Sequence, residues 1–415
     1  MDITLGFAKG EQILSVADKN LAAELHGAPL SLAETGAPLV KKALEAPIAS
    51  PRLKEIVRPG EKTVIITSDI TRPCPSHLIL PALLDELEEG GCDLNDVTVV
   101  FAVGSHRKHT PEEQKKLVGE EAYRRVKCID ADAAQCVHMG VTSRGTPVDV
   151  FDVVANADRR ICVGNIEYHY FAGYSGGAKA IMPGVSTRAA IQANHSRMVE
   201  DEARAGNLVG NPVREDIEEA IKFCPIDFIL NVVLDEEKNI VCAVAGDWIQ
   251  AHRVGCRFLD GLYGVAIPAP ADIVVTCPGG FPKDINLYQA QKALDNAKHA
   301  VRPGGVIILV GACTEGLGEG AFQRWMLNAT STRQLIDDIQ DHFELGGHKA
   351  AAIAMVAEKA DIYLVSEMEP DFVRSLFMQP FATVQEAFDA ALAKLGPDAK
   401  AYIMSHGGSV LPHVE

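Results

Sequence analysis

The sequence has few basic residues and no long apolar run. Lys and Arg number 39 against 56 Asp and Glu, which gives the 415-residue chain a formal net charge of −17. Nucleic acids and anionic membrane surfaces attract proteins with a surplus of positive charge, so we expect neither as a partner. The apolar stretches fall short of the ~18–20 residues of a membrane span, and the N-terminus lacks a secretion signal. These absences predict a soluble, cytoplasmic protein.

No Cys-x-x-Cys pair occurs among the ten cysteines, and this absence weakens the case for a thiolate metal site or a redox motif. Several cysteines lie inside apolar runs of strand type, such as Ile-Cys-Val at 161–163. Cysteine in such a run behaves as a small apolar residue. The pattern therefore predicts buried free thiols in a reducing compartment.

The sequence does contain a repeated order of apolar strand, loop and helix. Residues 62–67 and 97–103 are short apolar runs of strand type, and residues 76–87 between them have helical spacing. This alternation continues through most of the chain. It predicts an α/β fold made of two α/β domains with mainly parallel sheets.

Two prolines in residues 267–271 mark the best candidate for a linker. We therefore predict an N-terminal domain over residues 1–266 and a C-terminal domain over residues 272–400. The remaining tail, residues 401–415, could return to the N-terminal domain.

The most unusual stretch, residues 164–184, follows an apolar strand and is rich in glycine. His169 stands ten positions before Lys179, and Gly176 and Gly177 lie between them. Glycines let a backbone approach a ligand and offer N–H groups to an anion such as phosphate. A lysine here can pair with that anion or, if desolvated, act as a nucleophile. The alternative is a tight turn with a solvated lysine.

Two further polar loops follow strands. In the first, Asp69 precedes Arg72 by three positions, and the planar guanidinium of an arginine suits a carboxylate ligand. In the second, His106 could act as a general base, with His109 three positions later. Alternatively the two histidines could bind a metal, although no third ligand is evident nearby. A solvated ion pair in the first loop and a structural histidine in the second are the alternatives.

Two helices carry the remaining candidates. His195 lies on the helix after the glycine-rich stretch, where an isolated histidine is usually structural, and Glu202, Glu215 and Asp216 follow it as possible neighbours. Tyr288 and Lys292 share one face of a helix at i, i+4, a face that could equally be exposed to solvent.

Together these motifs resemble the lactate racemase family, the nickel-pincer 2-hydroxyacid racemases, over essentially the whole chain. The family shows Asp-x-Thr-Arg, Gly-Ser-His-Arg, His…Gly-Gly-Ala-Lys, a later histidine and Tyr-Gln-x-x-Lys in this order. The resemblance implies an active site in the interdomain cleft. It implies His106 and His169 as catalytic acid/base residues, and Arg72, Lys292, Tyr288 and Gln289 as substrate-binding residues. It further implies Lys179 as the covalent attachment point of the cofactor, His195 as the metal ligand, and Asp69 as a residue that meets the cofactor or supports Arg72. From their positions near Lys179, Gly176 and Gly177 are expected to lie against the cofactor, and Phe171 and Pro183 to pack against its ring.

The function implied by the resemblance is that of an isomerase. It would invert the α-carbon of a 2-hydroxy acid, with lactate as the default, by reversible hydride transfer to a nickel-pincer nucleotide, pyridinium-3-thioamide-5-thiocarboxylic acid mononucleotide. Separate cofactor-biosynthesis proteins would be partners. Malate, a longer 2-hydroxy acid or a sugar acid is an alternative substrate, because each has the same α-hydroxy carboxylate group. The other classes are a pyridoxal-phosphate enzyme using Lys179 and a non-catalytic binder of a phosphorylated nucleotide.

Overall fold

Strands and helices alternate through the computed structural model, which describes residues 1–29, 34–72 and 74–414. Its strands are β1 Asp2–Phe7, β2 Gly10–Ser15, β3 Leu21–Glu24, β4 Thr63–Ser68, β5 Val97–Ala102, β6 Lys127–Asp130, β7 Cys136–Val141, β8 Pro147–Phe151, β9 Arg159–Asn165, β10 Tyr168–His169, β11 Gly173–Tyr174, β12 Phe228–Leu234, β13 Ile240–Gly246, β14 Gly264–Ile267, β15 Ala271–Thr276, β16 Val301–Val310, β17 Asp361–Val365, β18 Gln379–Phe381, β19 Ala401–Met404 and β20 Leu411–Val414.

The α-helices are α1 Ala37–Glu45, α2 Leu53–Ile56, α3 Ser76–Glu89, α4 Pro111–Val118, α5 Glu120–Arg125, α6 Asp152–Ala155, α7 Arg188–His195, α8 Pro212–Ala220, α9 Gln250–Tyr263, α10 Leu287–Ala297, α11 Gly320–Asn328, α12 Thr332–Asp341, α13 Gly347–Lys359, α14 Pro370–Ser375 and α15 Val384–Leu395. Short 3₁₀ helices lie at Leu94–Asp96, Ala133–Gln135, Gly177–Ala180 and Ser196–Val199. In the described residues, no helix combines the length and the apolar content that crossing a membrane requires.

The chain divides into two compact units. The terminal unit comprises Met1–Pro29 and Gly261–Glu415, and the central unit comprises Leu30–Asp260. Both are built on six-stranded, mainly parallel sheets. The predicted α/β class is therefore confirmed.

The central unit has a sheet of strand order β13-β12-β9-β4-β5-β6, in which β13 alone runs antiparallel to its neighbour. Apolar, mostly β-branched side chains fill the middle strands, as expected of strands covered on both faces; Ile65 of β4, for example, pairs with Val99 of β5 and with Ile161 of β9. From β4 the chain adds β5 and β6 on one side and later β9 on the other. The carboxyl ends of β4 and β9 therefore form a topological switch point, where α/β sheets usually bind ligands.

The terminal unit has a parallel sheet of order β18-β17-β16-β15-β19-β3. One face of this sheet packs in a buried apolar cluster with the β1–β2 hairpin, which contributes Leu5 and Leu14 next to Ile273 and Ile308. The edge strand β3 joins through Leu21, which pairs with the first residue of β19.

These pairings differ from the predicted domain boundaries in two places. The first 29 residues, assigned by prediction to the domain 1–266, lie in the terminal unit because β3 pairs with β19. The tail 401–415 stays in that unit as well, since β19 is an inner strand of its sheet and β20 pairs with β14. Short strands at the ends of a chain give no sequence signal for the partner they choose.

All ten cysteines are free, and seven of them are buried. Burial raises the pKa of Cys74 and Cys242 to about 11, so these thiols stay protonated at neutral pH. The prediction of free thiols is confirmed.

Candidate active site

Three loops of the central unit begin at neighbouring strand ends. The loop after β4 carries Asp69 and Arg72, the loop after β5 carries His106, and the segment after β9 carries His169 and Lys179. Since β9, β4 and β5 are adjacent and parallel, these loops leave the sheet at the same edge. The switch point thus collects most of the predicted site residues of this unit.

Asp69 and His106 form a hydrogen-bonded pair. The Asp69 side chain is buried, and its Oδ2 lies 2.5 Å from Nδ1 of His106. Burial raises the pKa of Asp69, but the hydrogen bond and charge of His106 lower it more, so this carboxyl is ionised at neutral pH. A carboxylate can only accept, so His106 carries a proton on Nδ1 and, when neutral, has its lone pair on Nε2. This is the geometry of a general base held by an orienting carboxylate.

Thr71 connects Arg72 to this pair. Its hydroxyl donates to Oδ1 of Asp69 at 2.8 Å and accepts from Nη1 of Arg72 at 3.3 Å. The Arg72 side chain is otherwise exposed. The sequence predicted that Asp69 meets the cofactor or supports the arginine, and the observed support runs through Thr71 rather than by direct contact. Because Nη1 is held by Thr71 and the rest of the guanidinium is exposed, Arg72 can bind an anionic ligand.

His109, unassigned from sequence, is a buried structural residue. Its Nδ1 donates to Oδ1 of Asp130 at 2.6 Å, and its Nε2 accepts from the backbone N–H of Ile70 at 3.0 Å. Both ring nitrogens are therefore used within the protein. His109 links the β5 loop to the β4 loop, which explains why two histidines stand three positions apart.

His169 lies in the short hairpin of β10 and β11, where it pairs with Gly173. Its Nδ1 accepts from the backbone N–H of Ala172 at 3.3 Å, which places the proton of the neutral ring on Nε2. Burial, followed by the charges of Lys179 and Arg72, holds the pKa of His169 well below its usual range. The two predicted catalytic histidines are thus in different states. His106 is hydrogen-bonded to a carboxylate, whereas His169 accepts from a backbone N–H and burial disfavours its charged form.

The Phe171 ring brings three predicted residues together. Its centroid lies 4.5 Å from the ring of His169 and 4.8 Å from the ring of His195, both in edge-on geometry, and 5.8 Å from Nζ of Lys179. Phe171 itself is buried. The sequence placed Phe171 next to the cofactor on position alone, and its observed contacts are with site side chains.

Two residues of α8 hold this hairpin, and sequence reasoning missed both. Asn211 caps the helix and donates from Nδ2 to the carbonyl of Phe171 at 2.9 Å. Arg214, fully buried, donates to the carbonyl oxygens of Ala172 and Tyr174. The Asn-Pro start of a helix was visible in the sequence, but not the loop to which its side chains reach.

Lys179 lies on the 3₁₀ turn Gly177–Ala180 and is partly buried. Loss of solvation, followed by the charges of Arg214 and Arg72, lowers its pKa well below the usual value. A larger fraction of Lys179 is therefore the neutral amine, the nucleophilic form, at neutral pH.

The glycines before Lys179 serve packing. Gly176 and Gly177 have φ of 74° and 57°, and a Cβ on Gly176 would lie 2.8 Å from Oδ1 of Asn231. The N–H of Gly177 donates to the same amide oxygen at 2.8 Å. This N–H is thus used inside the protein, which differs from the predicted role of offering it to a phosphate. Pro183, predicted near the cofactor, is partly buried after this turn.

His195 ends α7, and its Nδ1 lies 2.8 Å from Oδ1 of Asn194. The side chain is 7% exposed. In residues 1–29, 34–72 and 74–414, no three His, Cys, Asp or Glu side chains are grouped so that they could hold a metal ion. A metal bound by His195 would thus need most of its donors from a ligand.

Tyr288, Gln289 and Lys292 lie on α10 in the terminal unit. Asn286 caps this helix by accepting from the N–H of Gln289 at 3.0 Å. Gln289 and Lys292 are exposed, while Tyr288 packs against Nζ of Lys349 at 3.9 Å from its ring centroid. Their contact with a substrate stays a prediction.

A carboxylate-oriented histidine, a second histidine and a desolvated lysine thus lie on loops at the switch point of an α/β fold, an arrangement typical of enzyme active sites. Comparison with known proteins identifies the class of this protein. Family models described as the lactate racemase N-terminal domain and the lactate racemase C-terminal domain match residues 7–206 and 267–412. The chain belongs to the lactate racemase family and is an isomerase of the racemase type.

Individual relatives agree. The chain is 34% identical to the lactate racemase of Thermoanaerobacterium thermosaccharolyticum, over 90% of this chain and 89% of that protein. It is 35% identical to that of Lactiplantibacillus plantarum, over 90% of both chains. The structure of the lactate racemase apoprotein from T. thermosaccharolyticum superimposes with a TM-score of 0.90 at 32% identity, covering 99% of this chain and all of that one. A Thermotoga maritima protein at 17% identity and a TM-score of 0.62, covering 94% of this chain and all of that one, shares the fold.

Proposed function

We propose that this protein racemises a 2-hydroxy acid, with lactate the first candidate. The proposal is supported by two histidines in different surroundings on loops at the same sheet edge as Arg72. His106 is hydrogen-bonded to Asp69, and burial lowers the pKa of His169. Inversion at a carbon requires a proton donor or acceptor for each enantiomer. Two imidazoles with different surroundings meet that requirement.

We further propose that the site takes a nickel-pincer nucleotide, attached at Lys179 and ligated through nickel by His195. The residues fit such a group, because Lys179 is desolvated and His195 is a single imidazole without protein co-ligands in the described residues. Soft sulfur and carbon donors from the cofactor suit nickel, so one histidine suffices. When bound, the cofactor would accept the α-hydrogen of the substrate as hydride and return it.

The protein's own residues then have defined tasks. Arg72 binds the substrate carboxylate through its planar guanidinium. His106, with its lone pair on Nε2, takes the hydroxyl proton of one enantiomer and returns it, while Asp69 stabilises the imidazolium formed. We assign His169 to the other enantiomer: its lowered pKa keeps the ring neutral, and because Nδ1 accepts from the backbone N–H of Ala172, this ring offers its Nε2–H to the substrate.

The terminal unit would contribute to substrate binding. We propose substrate-binding roles for Lys292, Tyr288 and Gln289 of that unit. We also propose that cofactor-biosynthesis proteins supply the nucleotide and that the reaction takes place in the cytoplasm. A side chain larger than the methyl of lactate, as in malate or a sugar acid, remains within the proposal.

The deciding experiment is intact mass and nickel content after co-expression with a pincer-biosynthesis system, for the wild type, Lys179→Ala and the surface control Lys115→Ala. We expect a nickel-dependent mass adduct in the wild type and control only. The loaded protein should racemise at least one acid in a chiral 2-hydroxy-acid panel. A Schiff-base absorbance with pyridoxal phosphate instead, or nucleotide binding without turnover, would contradict the proposal.

A further inference from the structure

A series of hydrogen-bonded, buried polar side chains connects His195 on α7 to two other parts of the central unit. It passes from His195 to Asn194 on α7, then to Asp216 on α8, and ends at two threonines of the turn between β7 and β8. We propose that Asn194 and Asp216 are positioning residues that fix the tautomer and orientation of the His195 ring. The proposal rests on the proposed function, in which His195 ligates nickel.

The carboxylate of Asp216, in the middle of this series, is fully buried. It accepts from the hydroxyls of Thr142 at 2.5 Å and Thr146 at 2.6 Å, and from Nδ2 of Asn194 at 2.7 Å. A carboxylate has no proton to offer, so each of these partners must be the donor. Three donors from three different residues hold this buried carboxylate in place.

This carboxylate determines which way the Asn194 amide points. Its nitrogen donates to Asp216 and also to the carbonyl of Val213 at 3.1 Å, so both amide hydrogens are used. The reversed amide would place its oxygen against two acceptors. The atom facing His195 is therefore the amide oxygen Oδ1, at 2.8 Å from Nδ1.

An amide oxygen can only accept, so Nδ1 of His195 must carry a proton. The neutral ring then has its lone pair on Nε2, the form in which imidazole binds a metal. Metal-ligating histidines usually donate their other N–H to a carboxylate, a carbonyl or a water, and this bond fixes the ring. Here an amide fills that position, with a carboxylate behind it.

The two threonines belong to a turn built to meet this carboxylate. The N–H of Thr142 donates to the carbonyl of Thr146 at 2.9 Å, and the N–H of Thr146 donates to the Thr142 hydroxyl at 3.1 Å. Both side chains are buried. Ser143, which follows Thr142 in this turn, instead donates from its hydroxyl to the half-buried carboxylate of Glu219, one helical turn after Asp216. Glu219 thus offers a matched control, since it joins the same turn to the same helix outside the buried series.

The first measurement is the His195 tautomer in ¹⁵N-histidine-labelled apoprotein at pH 8, read from long-range ¹H–¹⁵N correlations. The His195 signals are those that His195→Gln removes. We expect the wild type to carry the proton on Nδ1 alone. Asn194→Leu and Asp216→Leu should show a mixture of tautomers or the Nε2-protonated form, whereas Asp216→Asn, which retains an acceptor for the Asn194 amide, and the control Glu219→Gln should resemble the wild type.

The second measurement is nickel retention of the loaded protein against a chelator. We expect Asn194→Leu and Asp216→Leu to release nickel about 10- to 100-fold more readily, with Glu219→Gln unchanged. If a leucine variant fails to fold, Thr142→Val replaces it. This variant removes only one hydroxyl donor to Asp216, so we expect a smaller increase in nickel release. A wild-type Nε2-protonated tautomer, or variants that keep both the wild-type tautomer and wild-type retention, would overturn the inference. If the wild type never loads nickel under conditions that load a family member, the proposed metal is refuted. The role of Asn194 and Asp216 in positioning a metal ligand is then refuted as well, even if His195 has the expected tautomer.

Discussion

Oδ2 of Asp69 lies 2.5 Å from Nδ1 of His106, so the histidine predicted to serve as a base is held by a buried carboxylate. We expect Asp69→Asn to lower kcat about 10²- to 10³-fold, because the amide no longer stabilises the imidazolium and permits the wrong tautomer. Racemisation kinetics in both directions measure this. The control is Asp132→Asn, which removes an ion pair with Lys108 in the same region. If Asp69 instead holds the cofactor, the variant would lose the mass adduct rather than kcat alone.

The second prediction concerns the pH dependence of stability. Since the pKa of Lys179 is lowered on folding, the unfolded chain binds a proton that the folded chain does not, between the lowered value and about 10.4. In that window, rising pH stabilises the fold by about 1.4 kcal/mol per pH unit through this group. Lys179→Met should remove this slope and be more stable than the wild type near neutral pH. Denaturant unfolding of the apoprotein from pH 7 to 10 measures the slope, and Lys115→Met should leave it unchanged.

The third prediction concerns His109. Replacing it with Phe leaves the N–H of Ile70 and the buried Asp130 carboxylate without this partner, which we expect to lower the unfolding free energy by about 1–3 kcal/mol. Exchange of the Ile70 amide hydrogen should accelerate. His138→Ala, which breaks an exposed His–Asp pair, is the control. Unchanged protection of Ile70 would contradict the tether between the two loops.

The fourth prediction compares two glycines in the same backbone region. Gly173 and Gly210 have φ of 76° and 75°, but a Cβ on Gly173 would lie 2.1 Å from the carbonyl oxygen of Asn207, whereas a Cβ on Gly210 meets nothing within 4 Å. Gly210→Ala should show only the strain of a left-handed alanine, about 1 kcal/mol. Gly173→Ala should be at least about 2 kcal/mol worse and should displace the hairpin that carries His169. Equal unfolding free energies would show that the hairpin shifts without strain.

The fold class and the grouping of the loop residues could be predicted from the sequence. The periodicity of apolar residues predicts the strands and helices, and it therefore shows which polar loops follow a strand. Parallel strands then bring Asp69, His106 and His169 to one edge without any further information.

Other features depend on contacts between distant parts of the chain. No local pattern shows that Arg214 reaches the carbonyls of residues 172 and 174, or that Asn231 takes the N–H of Gly177. The partner of Asp69 was equally hidden. Its position three residues before Arg72 suggests an ion pair between these two side chains, whereas the observed partner is His106, 37 positions away. Such interactions follow from the tertiary fold and have no periodicity of their own.

The pairing of β3 with β19 has a consequence for how the protein is made. The ribosome releases Leu21 early and Ala401, its partner in the ladder, almost last. The central unit, by contrast, takes all of its sheet from one continuous segment. We therefore expect the central unit to fold first during synthesis, while β3 stays without its partner until β19 has been made.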